Sequence, residues 1–242
     1  MFKRKRLILI VFFTFICSII SFLVLAYFKL DVIGATIYDI VHKNGPVKNY
    51  TEFTKVISGY RKYKQNELPP DLKNQVPANF DDFVYVIPYN DVHRKIFLNT
   101  RINQFLSGDN RLYGYSIKNK EVRYLYINEK LIRSLFQTVE SLEKKNYDVS
   151  QINVNSAYRS RIYNSRVGGA SQSMHLQGKA VDLRIGDINR DGYRNKTDKD
   201  IVYKLLDKQI ISNKGGLGYY PGTMIIHMDI RGHRARWNHH KP

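Results

Sequence analysis

Apolar positions along the chain fall into three kinds of pattern. The first is a continuous run. Leu7–Phe28 is an uncharged, mostly apolar stretch of 22 residues behind Lys3-Arg4-Lys5-Arg6. As a helix it would span about 33 Å, the thickness of a bilayer core. The basic cluster precedes the run, so residues 1–6 are expected in the cytoplasm, with the run as a membrane anchor at 7–28 and the rest of the chain outside. A cleaved secretory signal is the rival reading, with small residues Val24 and Ala26 at a cleavage site, but the run is long for one. Cys17, the single cysteine, lies inside this run, which leaves no intrachain disulfide and no cysteine metal site.

The second pattern is broken and short-ranged. Residues 29–110 are rich in Lys, Tyr and Asn and are punctuated by Asn44-Gly45-Pro46 and Pro69-Pro70, which reads as a stalk or accessory region. Within it, Tyr50–Tyr60 has the spacing of a short amphipathic helix and Phe83–Pro88 that of a strand. Residues 110–127 carry aromatic and β-branched residues around Gly114 and Asn119-Lys120, which predicts a hairpin.

The third pattern is regular and begins at Asn128, a residue suited to cap a helix. Leu131, Leu135, Val139 and Leu142 recur at helical spacing, with Ile132 and Phe136 widening the apolar face. Ile152-Asn153-Val154 alternates as a strand. Ile201, Val202, Leu205 and Leu206 mark a second helix, which Gly215-Gly216-Leu217-Gly218 is expected to end. Met224–Ile230 is the last apolar strand. Its residues 226, 228 and 230 form a wholly apolar face, so 225, 227 and 229 share the opposite one. The order helix, strand, strand, helix, strand predicts an α+β domain over 111–242, with helices against a small, mainly antiparallel sheet.

Chemistry concentrates in that last region. Ser-Met-His-Leu-Gln-Gly-Lys-Ala-Val-Asp at 173–182 and Ile-His-Met-Asp at 226–229 supply His175, Asp182 and His227. Two histidines and a carboxylate are enough to hold a catalytic zinc with one position open to water. Gly178 permits the tight turn that lets Ala-Val-Asp return beside His175. A His-x-Asp with a further histidine is also the short pattern of a non-haem iron site, which would leave His175, Asp182 and Arg159 unexplained.

These residues carry a resemblance. Ser-Ala-Tyr-Arg-Ser at 156–160, Tyr163-Asn164, Val167-Gly168-Gly169-Ala170, the 173–182 segment, Gly216-x-Gly218-x-Tyr220, His227-x-Asp229 and Arg236-Trp237 together resemble the zinc D-Ala-D-Ala carboxypeptidase family, whose fold is shared with the hedgehog signalling domain. The resemblance covers Asn128–Trp237 and looks closest to the cell-wall peptidase branch. It implies Zn2+ on His175, Asp182 and His227. It also implies that Arg159 holds the substrate carbonyl and steadies the oxyanion, with peptidoglycan stem peptides as substrate. Ser173 matches a serine near the site. Relatives place an acid or histidine two or three residues before the last ligand. Here those positions are Ile225 and Met224, which accept no proton. Asp229 is the substitute: it is either the catalytic proton acceptor or the partner that orients His227. A zinc-holding module without catalysis is the alternative function, as the hedgehog domain illustrates.

A second metal pattern lies at 187–198. Asp187, Asn189, Asp191, Tyr193 and Asp198, with Gly192 at the sharp turn, fit the ligand spacing of a Ca2+ loop, although Arg190, Arg194 and Lys196 oppose a cation. Over the whole chain, Lys and Arg outnumber Asp and Glu by 39 to 21, a net charge of +18. That favours anionic surroundings such as wall polymers or a membrane surface. No nucleic-acid-binding motif accompanies the charge, so nucleic acid is not an expected partner. The expected location is therefore the cell membrane, single-pass, with the C-terminal domain periplasmic or extracellular in a bacterium.

Overall fold

The computed structural model describes residue 39 and residues 44–64, 67–68, 82–108, 115–117 and 120–238. The run at 7–28 and the basic residues before it lie outside the described residues, as do Cys17, Pro69-Pro70 and Gly114. Among the described residues, no helix is long and apolar enough to cross a membrane. The chain divides into compact units Met1–Asn44 and Gly45–Pro242. Of the first, only Asp39 and Asn44 are described, joined by a backbone hydrogen bond of 3.0 Å.

The second unit is α+β, with three sheets among the described residues. The elements in chain order are α1 (Tyr50–Ile57), β1 (Arg61–Tyr63), β2 (Val84–Pro88), β3 (Lys95–Phe97), β4 (Thr100–Arg101), α2 (Ile102–Phe105), β5 (Tyr115–Ile117), β6 (Lys120–Tyr126) and α3 (Glu129–Glu143). They continue with β7 (Ile152–Ser156), α4 (Arg161–Arg166), β8 (Ala180–Ile185), α5 (Lys196–Leu205), β9 (Gly216–Tyr219), β10 (Ile225–Asp229) and β11 (Ala235–Trp237). One sheet runs β1-β2-β6-β5 and is antiparallel throughout. The sheet that carries the site runs β11-β9-β10-β8-β7, antiparallel except for the parallel β11–β9 edge. β3 and β4 form a two-stranded ribbon. The expected hairpin is present as β5–β6, but it joins a second sheet where one small sheet was expected.

α3 begins where the capping residue predicts: Asn128 accepts the Lys130 N–H at 3.0 Å. Its apolar stripe, Leu131, Ile132, Leu135, Phe136, Val139 and Leu142, is buried in one core with Val154, Val181, Leu183, Ile226 and Met228. The same core takes Val47, Phe53, Ile57, Ile96, Phe97, Ile102 and Phe105. Phe136 meets the rings of Phe53 and Phe97 at centroid distances of 6.1 and 5.3 Å. Among the described residues before 107, these side chains therefore share the core under α3.

Gly216–Gly218 does not end a helix. It lies in β9, paired with His227 and its neighbours on β10. The lack of side chains is what the site needs there: a Cβ on Gly218 would sit 2.5 Å from Trp237 Nε1. α5 instead gives way to a wider turn at Leu206–Ile210.

Candidate active site

The register of the main sheet assembles the site. His227 on β10 lies directly opposite Asp182 on β8 and Gly218 on β9. Ile226 and Met228 turn into the core, so His227 and Asp229 face the other way, as the alternation predicts. His175 arrives from a short 3₁₀ turn, Met174–Gln177. Ser173 caps that turn by accepting the His175 N–H at 3.4 Å, and Gly178 closes it with φ +64°. The Gly178 carbonyl accepts the Asn128 N–H at 3.1 Å, which ties the turn to the start of α3.

Three buried atoms converge. His175 Nε2, Asp182 Oδ1 and His227 Nδ1 are separated by 3.2 Å (His175–Asp182), 3.1 Å (His175–His227) and 3.0 Å (His227–Asp182). Zinc with ligands at about 2.0–2.2 Å in a tetrahedron needs donor separations of about 3.3–3.6 Å, a few tenths of an ångström wider than this triangle. The outer ring nitrogens are already used. His175 Nδ1 meets the Ala157 carbonyl, which fixes the hydrogen on that nitrogen and turns a lone pair inward. His227 Nε2 donates to Asp229 Oδ2 at 3.0 Å, which does the same. Two ring lone pairs and a carboxylate facing one another, all on buried side chains, call for a cation, so the residues fit a metal.

The electrostatics follow from burial and pairing. Burial lowers the pKa of His175 and outweighs the pull of Asp182. Burial also acts to lower His227, but hydrogen bonds to Asp182 and Asp229 outweigh it and raise its pKa. Burial would push Asp182 up; the charge and hydrogen bond of His175, with His227, hold it well below the usual carboxylate range. Asp229 is lowered in the same way, by His227 and Arg231 against burial.

Arg159 is at the site and only 7% exposed. Its Nη2 donates to Asp182 Oδ2 and its Nε to Ser156 Oγ at 3.0 Å. Its backbone N–H donates to the His175 carbonyl at 3.1 Å. Arg159 thus holds a ligand in place, beyond the substrate contact expected of it. Among the described residues, Nη1 has no protein acceptor.

Asp229 resolves the alternative left open by the sequence. Its carboxylate accepts from Gly216 N at 3.0 Å, from Arg231 N, Nε and Nη2, and from His227 Nε2. It is fully buried on the ring edge opposite Nδ1. This puts it behind His227, where it can orient the ring, and away from the nitrogen that faces Asp182 and His175. Arg231, which no motif singled out, completes the chain Arg231–Asp229–His227; its position two residues after Asp229 was the available signal. Trp237 packs on His227 at 5.0 Å between centroids.

The calcium expectation is not supported. Asp198 Oδ1 accepts the Ile188 and Asn189 N–H groups at 2.9 and 3.3 Å, and Oδ2 accepts Asn195 N at 2.9 Å. With Asn195 it forms the capping box of α5 and is fully buried. Asp187 accepts from Asp191 N and Gly192 N, Asp191 accepts from Tyr193 N, and Asn189 donates to Asp191. The acids serve turn and cap, the loop lies apart from the one cluster of metal-capable side chains found among the described residues, and Tyr193 is exposed.

No curated protein and no solved structure matches the chain. A family model does: residues 113–229 match the one described as Peptidase M15, a span that contains His175, Asp182, His227, Arg159 and Asp229. The match covers 117 of the 242 residues, and with the buried metal triangle inside it this segment is similar to the peptidase M15 family, in keeping with the resemblance its motifs carry.

Proposed function

We propose that the protein is a zinc peptidase that hydrolyses D-alanyl bonds in peptidoglycan stem peptides, as a carboxypeptidase or an endopeptidase, from a membrane anchor at residues 7–28. The observation that carries this reading is the triangle of His175 Nε2, Asp182 Oδ1 and His227 Nδ1, with all three side chains buried and both outer ring nitrogens fixed as donors. Zinc held there supplies a Lewis acid and lowers the pKa of water toward neutrality.

The chain's own residues do the rest. The Ala157 carbonyl and Asp229 fix the tautomers and orientations of the two rings. Arg159 holds Asp182 through Nη2, which leaves Nη1 to donate to the peptide carbonyl oxygen as it gains charge. Trp237 covers one side of His227 and limits water there. The net charge of +18 favours retention near anionic wall polymers.

The test is product identification. The full chain, loaded with zinc, is incubated with a stem pentapeptide ending in D-Ala-D-Ala and the products are weighed by mass spectrometry. Release of free D-alanine supports carboxypeptidase action, and internal fragments from cross-linked dimers support endopeptidase action. An intact peptide in both assays would refute the reading. One observation favours a second reading, a zinc-holding wall-binding module: the acid nearest the last ligand is saturated by N–H groups and offers no proton acceptor. Retained binding to wall fragments with no cleavage would decide for the module.

A further inference from the structure

The turn that follows β9 brings one more side chain toward the metal face. Gly218 pairs with His227, and Tyr220 follows just past the end of β9; its hydroxyl meets Trp237, the residue packed on His227, and is near enough to Asp182 and Arg159 to be acted on by both charges. Tyr220 is 4% exposed. Its backbone is held firmly: Lys199 Nζ donates to the Tyr220 carbonyl at 2.6 Å, as does Thr223 Oγ1 at 2.9 Å. Lys199 itself is buried, with its ammonium 3.8 Å from the Tyr219 ring centroid and a second bond of 2.9 Å to the Thr223 carbonyl. The Tyr220–Thr223 turn is therefore pinned from below.

The hydroxyl is placed as carefully as the backbone. Trp237 Nε1 donates to Tyr220 Oη at 3.5 Å, while the Trp237 ring lies against His227. Tyr220 Oη is thus an acceptor in its only hydrogen bond among the described residues, and its own hydrogen is left to donate. Burial raises the phenol pKa, and the Asp182 carboxylate adds to that, so the hydroxyl keeps its hydrogen at neutral pH. A buried tyrosine hydroxyl that accepts from one side and has no protein acceptor on the other is arranged to donate to something that enters the site.

We propose that Tyr220 is a catalytic residue that donates a hydrogen bond to the peptide carbonyl oxygen as that oxygen gains negative charge, acting beside Arg159. This inference rests on the hydrolytic reading above and deepens it. It gives the site a second donor for the developing charge, which the sequence motifs did not assign. Trp237, the one tryptophan in the chain, sits against Tyr220 and His227 and supplies the optical probe.

The experiment compares wild type with Tyr220→Phe, both as full chain with zinc, in two measurements. In the first, a phosphonate analogue of D-alanyl-D-alanine, whose charged oxygens mimic the developing oxyanion, is titrated against Trp237 emission. The second is peptide turnover. Tyr220→Phe is expected to bind the phosphonate about 10-fold or more weakly and to lose about 10²-fold in kcat with little change in KM, the scale for removing one oxyanion donor. Zinc content should equal that of wild type, which separates this role from a structural one. Equal phosphonate affinity in the two proteins overturns the inference, as does a wild type that binds no phosphonate. If wild type binds the phosphonate in a Tyr220-dependent way and cleaves nothing, the hydrolytic reading fails and the catalytic role of Tyr220 with it, and only its hydrogen bond to a bound oxygen stands.

Discussion

His227 turns its Nε2 edge to Asp229, 3.0 Å from the carboxylate, so that Asp229 and the metal-facing Nδ1 lie on opposite edges of one ring. The relationship fixes what Asp229 can do. A carboxylate behind the ligand orients the imidazole and raises its basicity; it does not reach water on the metal side. Arg231 holds the carboxylate in turn, through Nε at 2.8 Å and Nη2 at 2.6 Å.

Asp229→Asn is expected to weaken zinc binding by about 10–100-fold, the usual cost of losing the partner behind a metal-bound histidine. Competition with a chromophoric chelator measures it. Unchanged zinc affinity with turnover lost would instead return Asp229 to the role of proton acceptor.

Asp198→Ala removes a buried acceptor of three backbone N–H groups and the capping box of α5. A loss of about 2 kcal/mol in unfolding free energy is expected from the cap and the unsatisfied donors together. Thermal unfolding of the wild type with and without calcium should coincide. A calcium-dependent rise in Tm that Asp198→Ala abolishes would restore the calcium reading.

Phe97 is 1% exposed, lies on β3 and packs on Phe136 of α3. Phe97→Ala should cost about 3–5 kcal/mol, the range for a large buried aromatic, because the core it supports is the one beneath the site. Denaturant unfolding followed at Trp237 reads the effect, since Trp237 lies on the site face. A loss below about 1 kcal/mol would mean that residues 45–106 are an appendage to the peptidase core, as surface substitutions cost no more than that.

Burial lowers the Lys199 pKa to about 8. The unfolded lysine titrates near 10.4, so between these values the unfolded chain binds more protons than the folded one. Folding therefore carries a penalty below about pH 8 that is relieved as pH rises toward 10.4. The difference in stability between wild type and Lys199→Met should shift in favour of wild type across that window. A difference that stays flat with pH would show that the Lys199 ammonium keeps its ordinary pKa. Calorimetric unfolding at a series of pH values gives the comparison.

The metal triangle was legible because its determinants are local and sharp: a turn glycine at 178, a short strand to Asp182, and period-two alternation that puts His227 on the polar face. The role of Asp229 was half legible. Alternation gives the strand face, but which ring nitrogen a neighbour meets depends on side-chain torsions that spacing does not encode. Before residue 107 the helix at Tyr50–Ile57 and the strand at Val84–Pro88 were legible from their spacing, but that Val47, Phe97 and Phe105 join the core under α3 was not, because they sit in pieces of a few residues each, too short to show a period. The 187–198 loop misled for another reason. Asp and Asn at alternate positions suit calcium, yet the same spacing suits Asx turns and a capping box, and only the direction of Asp198 tells them apart. Gly216 and Gly218 read as helix breakers from composition; their cause is Trp237 and Asp229 crowding the strand.

The most direct measurement of the central claim is turnover of a D-alanyl stem peptide by one preparation in three states: as purified, after zinc is stripped by a chelator, and after zinc is returned. The buried triangle of His175, Asp182 and His227 predicts activity in the first state, loss in the second, and recovery at one zinc per chain in the third. Equal cleavage in all three states would contradict it.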